Sequence, residues 1–320
     1  MKRDGDRLTF IYTYNYSEEE RSLCHMEMRA LFGVEPESAI LKSDVEIDPS
    51  RSPFIKGRID IMYEGETVTD IMNQVGQIHL VDETFKIIFV KINDLEKDKK
   101  IKYRERLQIE RDIGSHIQGK VDIHHPDRLF GIATMGGRWY FGTHHKNKAV
   151  WLHPLKKPRE YSTALSTRTA RAICNIAVPH PEDIRVIDPC CGIGTVLVEA
   201  LSMGIDIVGR DINPLAVSGS RENIAFFGLK GDVTLGPISA VSAHYNTAII
   251  DLPYNHYTRV TRDEQFAILQ HARRVADRVI VITIETMDEM LEQAGFVIMD
   301  RCLAKKGELG LFSRQILVCE

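Results

Sequence analysis

The string IRVIDPCCGIGTVLVEALSMG, residues 184–204, restricts the chain to few folds. An apolar run ends on an acid and a proline, two glycines follow, and a helical apolar pattern resumes at once. The next stretch, IDIVGRDINPLAVSGSRENIAFFGL (205–229), repeats the plan of strand, turn and helix. Further strands are expected around 232–235, 246–251 and 277–284, with helices between, and two last runs (296–302, 311–319) can close a hairpin. Strand–helix alternation with an antiparallel end describes an α/β protein built on a doubly wound sheet.

The turn itself sorts among ligands. A dinucleotide fingerprint needs three glycines, but only Gly192 and Gly194 are present, and Leu197 takes the third place. Asp188 precedes the loop, where a pyrophosphate would not want a carboxylate. Asp211 ends the next strand, where an acid can accept from ribose hydroxyls. DPCCGIGTVLVEAL resembles the first motif, D-P-F-C-G-T-G, of S-adenosylmethionine-dependent methyltransferases that modify exocyclic amines. That resemblance implies a class I, Rossmann-like methyltransferase domain with S-adenosyl-L-methionine as cofactor. It places Asp188, Gly192 and Gly194 on the methionine side and Asp211 at the ribose, with Cys190, Thr195 and Ile212 as further cofactor contacts. After the third strand, GPISAV (236–241) has Pro237 where the family usually carries an acid for the adenine amine, and Asp232 lies slightly early.

DLPY (251–254) falls at the end of the fourth expected strand, on the carboxyl edge where ligands of such sheets bind. It resembles the [DN]-P-P-Y motif of amino-methyltransferases, with Leu252 replacing the first proline. A guanine exocyclic amine is a weak nucleophile because its lone pair is delocalised into the ring. The Asp251 carboxylate and the Leu252 carbonyl can accept its two N–H bonds and favour the developing cation. Pro253 fixes the turn, and Tyr254 can stack on a base drawn out of its helix. Cysteine-dependent methylation of pyrimidines would need a thiol beside the base, and none lies near DLPY. Cys190 and Cys191 read as small residues packing under a ligand, and His256 as an exposed loop residue.

The first ninety residues read as β-α-β-β-α-β, a ferredoxin-like unit, with strands at 8–16, 39–47, 57–65 and 85–92. Its first helix would follow the capping pair Ser17 and Glu20 and bury Leu23, Met26, Ala30 and Leu31; its second would cover 67–78. A charged helix (about 101–118) and VDIHHPDRLFGIATMGGRWYFG (121–142) come next, with Gly136-Gly137 signalling a hairpin. Val121, Asp122, Pro126, Asp127 and the WYFG string resemble the end of a THUMP domain, an RNA-binding module. The expected domains are a ferredoxin-like unit at 1–84, a THUMP-like unit at 85–150, a linker at 151–162 and the methyltransferase at 163–320.

Net charge is -4, but the average conceals segmentation. Residues 1–85 hold 9 Lys and Arg against 17 Asp and Glu; residues 86–160 hold 17 against 9, with six histidines; the rest hold 15 against 19. A central basic block can neutralise phosphates in a mildly acidic protein. Lys99, Lys100, Lys102, Arg104, Arg106 and Arg128 are its candidate RNA contacts; a solvated lysine-rich helix face is the competing reading. The six cysteines lack C-x-x-C pairing or zinc-like histidine spacing, so reduced thiols and no metal are expected. No apolar run approaches a membrane span, and the opening MKRDGDRLTF lacks the apolar core of a secretory signal, which points to the cytoplasm.

Across most of its length the chain resembles the THUMP-containing tRNA guanosine N2-methyltransferases. YSTALSTRTARAICNIA (161–177) is similar to that family's helix before the first motif, a helix expected to cover the cofactor. The resemblance implies methylation of guanosine 10 in tRNA. It leaves open mono- against dimethylation, a small activator subunit, and a monomer against a homodimer. Competing readings are a methyltransferase for another amine or amide (rRNA, DNA, a protein glutamine), a non-catalytic tRNA-binding homologue, and a nicotinamide-dependent dehydrogenase. Asp251 in place of asparagine disfavours the first, and the missing third glycine disfavours the last.

Overall fold

The computed structural model describes residues 8–91, 101–150, 157–160, 164–253, 260–306 and 312–320. The chain divides into two compact units, one of residues 1–15 and 36–148, the other of 16–35 and 149–320.

The N-terminal unit begins with β1 (Phe10–Tyr14), buried along its length. The chain then leaves for α1 (Arg21–Phe32), which belongs to the other unit, and returns as β2 (Ile40–Ser43) and β3 (Ile55–Gly65). There follow α2 (Val68–Val75), β4 (His79–Phe89), α3 (Tyr103–His116), β5 (Gln118–Val121) and the hairpin β6 (Arg128–Met135) and β7 (Arg138–Lys146). These strands form one seven-stranded sheet in the order β2-β1-β3-β7-β6-β4-β5. The expected ferredoxin-like closure at residue 84 is therefore corrected: the β6-β7 hairpin separates β3 from β4, and both expected N-terminal domains share one sheet. The turn works as read, because Gly136 (φ 57°) and Gly137 (φ 76°) supply left-handed backbone.

Helices α2 and α3 bury Ile71, Val75, Ile109 and Ile113 against Phe85, Ile87, Phe130 and Phe141. Phe130 stacks on Phe141 at 5.3 Å. In the VDIHHPD stretch the acids serve the backbone. Asp122 accepts from the His124 and His125 N–H groups (2.8 and 3.0 Å), and Asp127 from the N–H and hydroxyl of Thr84 (2.8 and 2.7 Å).

The C-terminal unit contains α1, α4 (Thr167–Ala177), β8 (Arg185–Asp188), α5 (Thr195–Ser202), β9 (Asp206–Asp211), α6 (Pro214–Phe226) and β10 (Val233–Leu235). It continues through β11 (Tyr245–Asp251), α7 (Arg262–Val275), β12 (Ala276–Thr283), α8 (Asp288–Gln293), β13 (Ile298–Lys306) and β14 (Phe312–Cys319). Its sheet order is β10-β9-β8-β11-β12-β14-β13, parallel except where β14 pairs antiparallel with β12 and β13. The order reverses between β8 and β11, where loops leaving the two strands part and open a crevice. The middle of β11 and most of β12 are continuously apolar and buried, as strands covered on both faces must be.

The first helix read from the sequence forms, but it packs on the C-terminal unit. Glu27, fully buried, accepts from Asn175 Nδ2 of α4 at 2.7 Å. Arg29 grips Asp300 of β13 through two bonds of 2.9 Å, and Arg168 of α4 grips Glu20 at 2.7 and 3.0 Å. Periodicity gave the buried stripe; these polar pairs determine which sheet it joins. Among the described residues no helix is long and apolar enough to cross a membrane.

Gly142 of β7 faces the bulged stretch of β3, where an added Cβ would overlap the Asp60 carbonyl. Backbone cannot rotate aside as a side-chain tip can. Gly142→Ala is expected to destabilise the N-terminal unit by about 3 kcal/mol or more, measurable as an early transition in urea monitored at Trp139.

Candidate active site

Strand ends at the switch point build the site. β8 ends at Asp188, β9 at Asp211 and β11 at Asp251, and all three acids line one cavity of about 600 Å³. The remaining wall comes from the 189–195 loop, Ile212 and Asn213, Pro237 to Ser239, Leu252 and Pro253, and one face of α7 with Glu264, Ile268 and His271.

The loop is shaped by its glycines. Gly192 (φ 51°) and Gly194 (φ 76°) adopt left-handed backbone, and space for a Cβ at Gly192 is open. At Gly194 a Cβ would overlap the buried Ser220 hydroxyl, so that glycine lets α5 and α6 approach. Asp211 closes the loop: Oδ2 accepts from the Gly192 N–H and Oδ1 from the Asn213 N–H, both at 2.8 Å. Ile212 is 70% exposed although it borders the cavity, an apolar side chain left for a ligand to cover.

Burial dominates the electrostatics. Asp188 is fully enclosed, and desolvation raises its carboxyl well above the ordinary value against the single bond from the Cys190 N–H (3.2 Å). Asp251 is pushed up to about 6 by desolvation, with the Arg314 charge pulling the other way. Its Oδ1 has no hydrogen-bond partner among the described residues, an acceptor awaiting a donor. Burial first, and the surrounding acids second, hold the Cys190 and Cys191 thiols far above the range in which thiolates form. Neither is therefore a nucleophile, in keeping with a packing role.

The acceptor-side turn is pinned from two sides. The Leu252 N–H donates to the Ile282 carbonyl at 2.9 Å, and buried Gln265 donates from Nε2 to the Pro253 carbonyl at 3.0 Å. Leu252 is itself in the core and replaces the rigidity of a second proline by packing. Ala164 and Leu165 of the 161–177 stretch also line the cavity, whereas the lining residues Glu264 and His271, and Gln265 beside them, carry no motif in the sequence. The signal for Gln265 was a glutamine on the apolar stripe of an otherwise amphipathic helix. Asp232 does not line the cavity; Pro237 does, and its carbonyl accepts from Arg210 Nε at 2.9 Å. Tyr254, and His256 beside it, lie outside the described residues.

The candidate RNA contacts belong to the other unit. Lys99 and Lys100 lie outside the described residues. Lys102 caps the start of α3, Arg104 is exposed, and the Arg106 guanidinium stacks over the exposed Tyr103 ring at 5.7 Å. Arg128 is already engaged by Glu83 through bonds of 2.9 and 3.1 Å, so its charge is balanced within the protein.

Because Asp251 holds its proton more tightly folded than unfolded, its contribution favours folding below about pH 4 and is lost as pH rises through about 6. A rise of this size amounts to about 3 kcal/mol. Asp251→Asn should therefore raise the melting temperature at pH 8 and leave it nearly unchanged at pH 4; equal shifts at both would contradict the carboxylate as the source.

Comparison with known proteins places relatives around this geometry. A tRNA (guanine(10)-N2)-dimethyltransferase of Methanothermobacter thermautotrophicus is 33% identical over 132 residues, 38% of this chain and 38% of that protein. Its namesake in Methanocaldococcus jannaschii is 25% identical over 248 residues, 72% of this chain and 66% of that protein. The human U6 snRNA (guanine-N(2))-methyltransferase THUMPD2 is 32% identical over 97 residues, 28% of this chain and 19% of that protein. The chain thus spans less than two thirds of the length of each. Residues 154–295, which hold β8 to β12 and the cavity between them, match the family model of the UPF0020, RMKL-like methyltransferase domain.

Proposed function

We propose that the chain is an S-adenosyl-L-methionine-dependent methyltransferase acting on the exocyclic N2 amine of a guanosine in tRNA, at position 10. The observation that carries the cofactor assignment is the sign of the cavity. Asp188, Asp211, Asp251 and Glu264 line it, and no Lys or Arg does among the described residues. A cationic ligand lowers the cost of desolvating Asp188 and Asp251, whereas a dinucleotide pyrophosphate would raise it. The open backbone at Gly192 fits the same ligand. Asp188, Cys190, Gly192, Gly194 and Thr195 would hold its amino-acid side, and Asp211 and Ile212 its ribose. When bound, S-adenosyl-L-methionine supplies an electrophilic methyl group.

The chain's own residues orient the acceptor. Asp251 presents its unpaired oxygen, and the Leu252 carbonyl lies next to it, so two acceptors can take the two N–H bonds of one planar amine. Pinning by Ile282 and Gln265 fixes that pair before the base arrives. As charge develops on the nitrogen, the ionised Asp251 stabilises it and can take the released proton. Guanosine and tRNA are favoured over other amines by the two tRNA relatives, and the basic stretch of the N-terminal unit would neutralise backbone phosphates.

Transfer of tritium from labelled S-adenosylmethionine into unmodified tRNA, followed by nucleoside analysis, tests this reading. Label is expected in N2-methylguanosine, lost by at least a hundredfold in Asp251→Ala. The wild-type rate should fall as pH drops below about 6, where Asp251 gains its proton. Label in U6 snRNA but not in tRNA would reassign the substrate; none in either would reject the activity.

Charge reversal of Lys102 and Arg104 should weaken tRNA binding about tenfold and reduce the dependence of log affinity on log salt by one to two units, at roughly 0.9 per phosphate contact. Unchanged tRNA binding would remove α3 from the RNA interface.

A further inference from the structure

We propose that Lys157, acting beside Thr195, binds the carboxylate of the cofactor's amino-acid tail. The inference deepens the cofactor reading above and rests on it. Lys157 Nζ lies 3.1 Å from Thr195 Oγ1, and Thr195 opens α5 in the cavity wall.

Charge balance singles out this residue. A methionine tail carries an ammonium and a carboxylate. The cavity's acids suit the ammonium and the sulfonium, but they repel the carboxylate, which must find positive charge elsewhere. Arg171 is the other buried cation near α5, and it is committed: its guanidinium donates to Glu199 at 2.9 Å and to the Ser202 hydroxyl at 3.0 Å. Lys157 has no comparable commitment. Among the described residues no carboxylate pairs with it directly; Glu199 and Glu160 act only through their fields. Its bond to Thr195 is to a neutral hydroxyl, which leaves most of its donor capacity for a ligand. Desolvation draws its pKa down, so an anion that restores a partner gains more here than at the surface.

Position agrees with charge. Lys157 stands just outside the cavity wall, one hydrogen bond behind a lining hydroxyl, at the end of the loop assigned to the methionine side. The stretch HPLKKPREY reads from sequence as a linker, and nothing in its composition marks one lysine over the next. The contact with Thr195 is what marks out Lys157.

Isothermal titration of the full chain with S-adenosylhomocysteine and with its decarboxylated analogue, which keeps the ammonium, tests the assignment. Lys157→Gln should weaken S-adenosylhomocysteine at least tenfold and the analogue less than twofold, and Lys157→Arg should recover most of the loss. Equal weakening of both ligands would mean that Lys157 merely supports α5, and unchanged affinity for S-adenosylhomocysteine would overturn the proposal outright. Wild-type protein that binds neither ligand would overturn the cofactor reading and this inference together.

Discussion

Three carboxyl groups at the ends of adjacent strands facing one cavity, with Asp188 and Asp251 withdrawn from water, are the constraint around which the C-terminal unit is organised. Such a cluster opposes folding, since burial penalises Asp188 and Asp251 and the charges of Asp211 and Asp251 add to the cost at Asp188. The surrounding structure holds it in place. Strand order brings β8, β9 and β11 side by side, the Gly192 and Asn213 amides satisfy Asp211, and the Cys190 amide reaches Asp188. Asp251 is left with an oxygen unserved. Stability is given up at that point, and it is the point where the proposed reaction would need an acceptor.

Much of this was legible before any coordinates. Two glycines alone are a weak signal, which Asp188-Pro189 before them and Asp211 after the next strand strengthen toward a ligand loop, and the alternation after it dictates parallel pairing. The DLP turn was readable because a carboxylate and a proline at a strand's carboxyl end have a chemical purpose that a plain turn lacks. Tertiary partners were not readable. Gln265 meets Pro253 across 12 positions and Lys157 meets Thr195 across 38, and local pattern carries no such information. The loss of an acid at Pro237 was visible from sequence, but its consequence was not. The backbone at that point is anchored by Arg210, and Pro237, Ile238 and Ser239 border the cavity with no charge of their own.

The N-terminal unit illustrates a different limit. Hairpin and helices lie within a few residues of where the sequence puts them, but β4 begins at His79 instead of 85, β5 has no expected counterpart, and the sheet differs because the β6-β7 pair inserts between β3 and β4. Pairing across such distances is decided by burial of both faces, a property of the assembled sheet. The charge pattern needs similar care. Arg128 counts toward the basic block in sequence, but Glu83 neutralises it in space, so charge tallies overstate the positive surface by the number of such internal pairs.

Helix α1 has a consequence for how this protein is made. It leaves the ribosome well before its partners: Asn175 and Arg168 follow well over a hundred residues later, and Asp300 some 270 residues later. Until then Glu27 and the apolar stripe of α1 have no native surface to bury against. The C-terminal unit therefore cannot complete itself as its own residues emerge; it must recapture a segment made long before, paying loop-closure entropy over some 270 residues. Helix α1 then docks only after much later segments are made, and a chain cut before Asp300 carries an exposed amphipathic helix that chaperones and proteases can recognise.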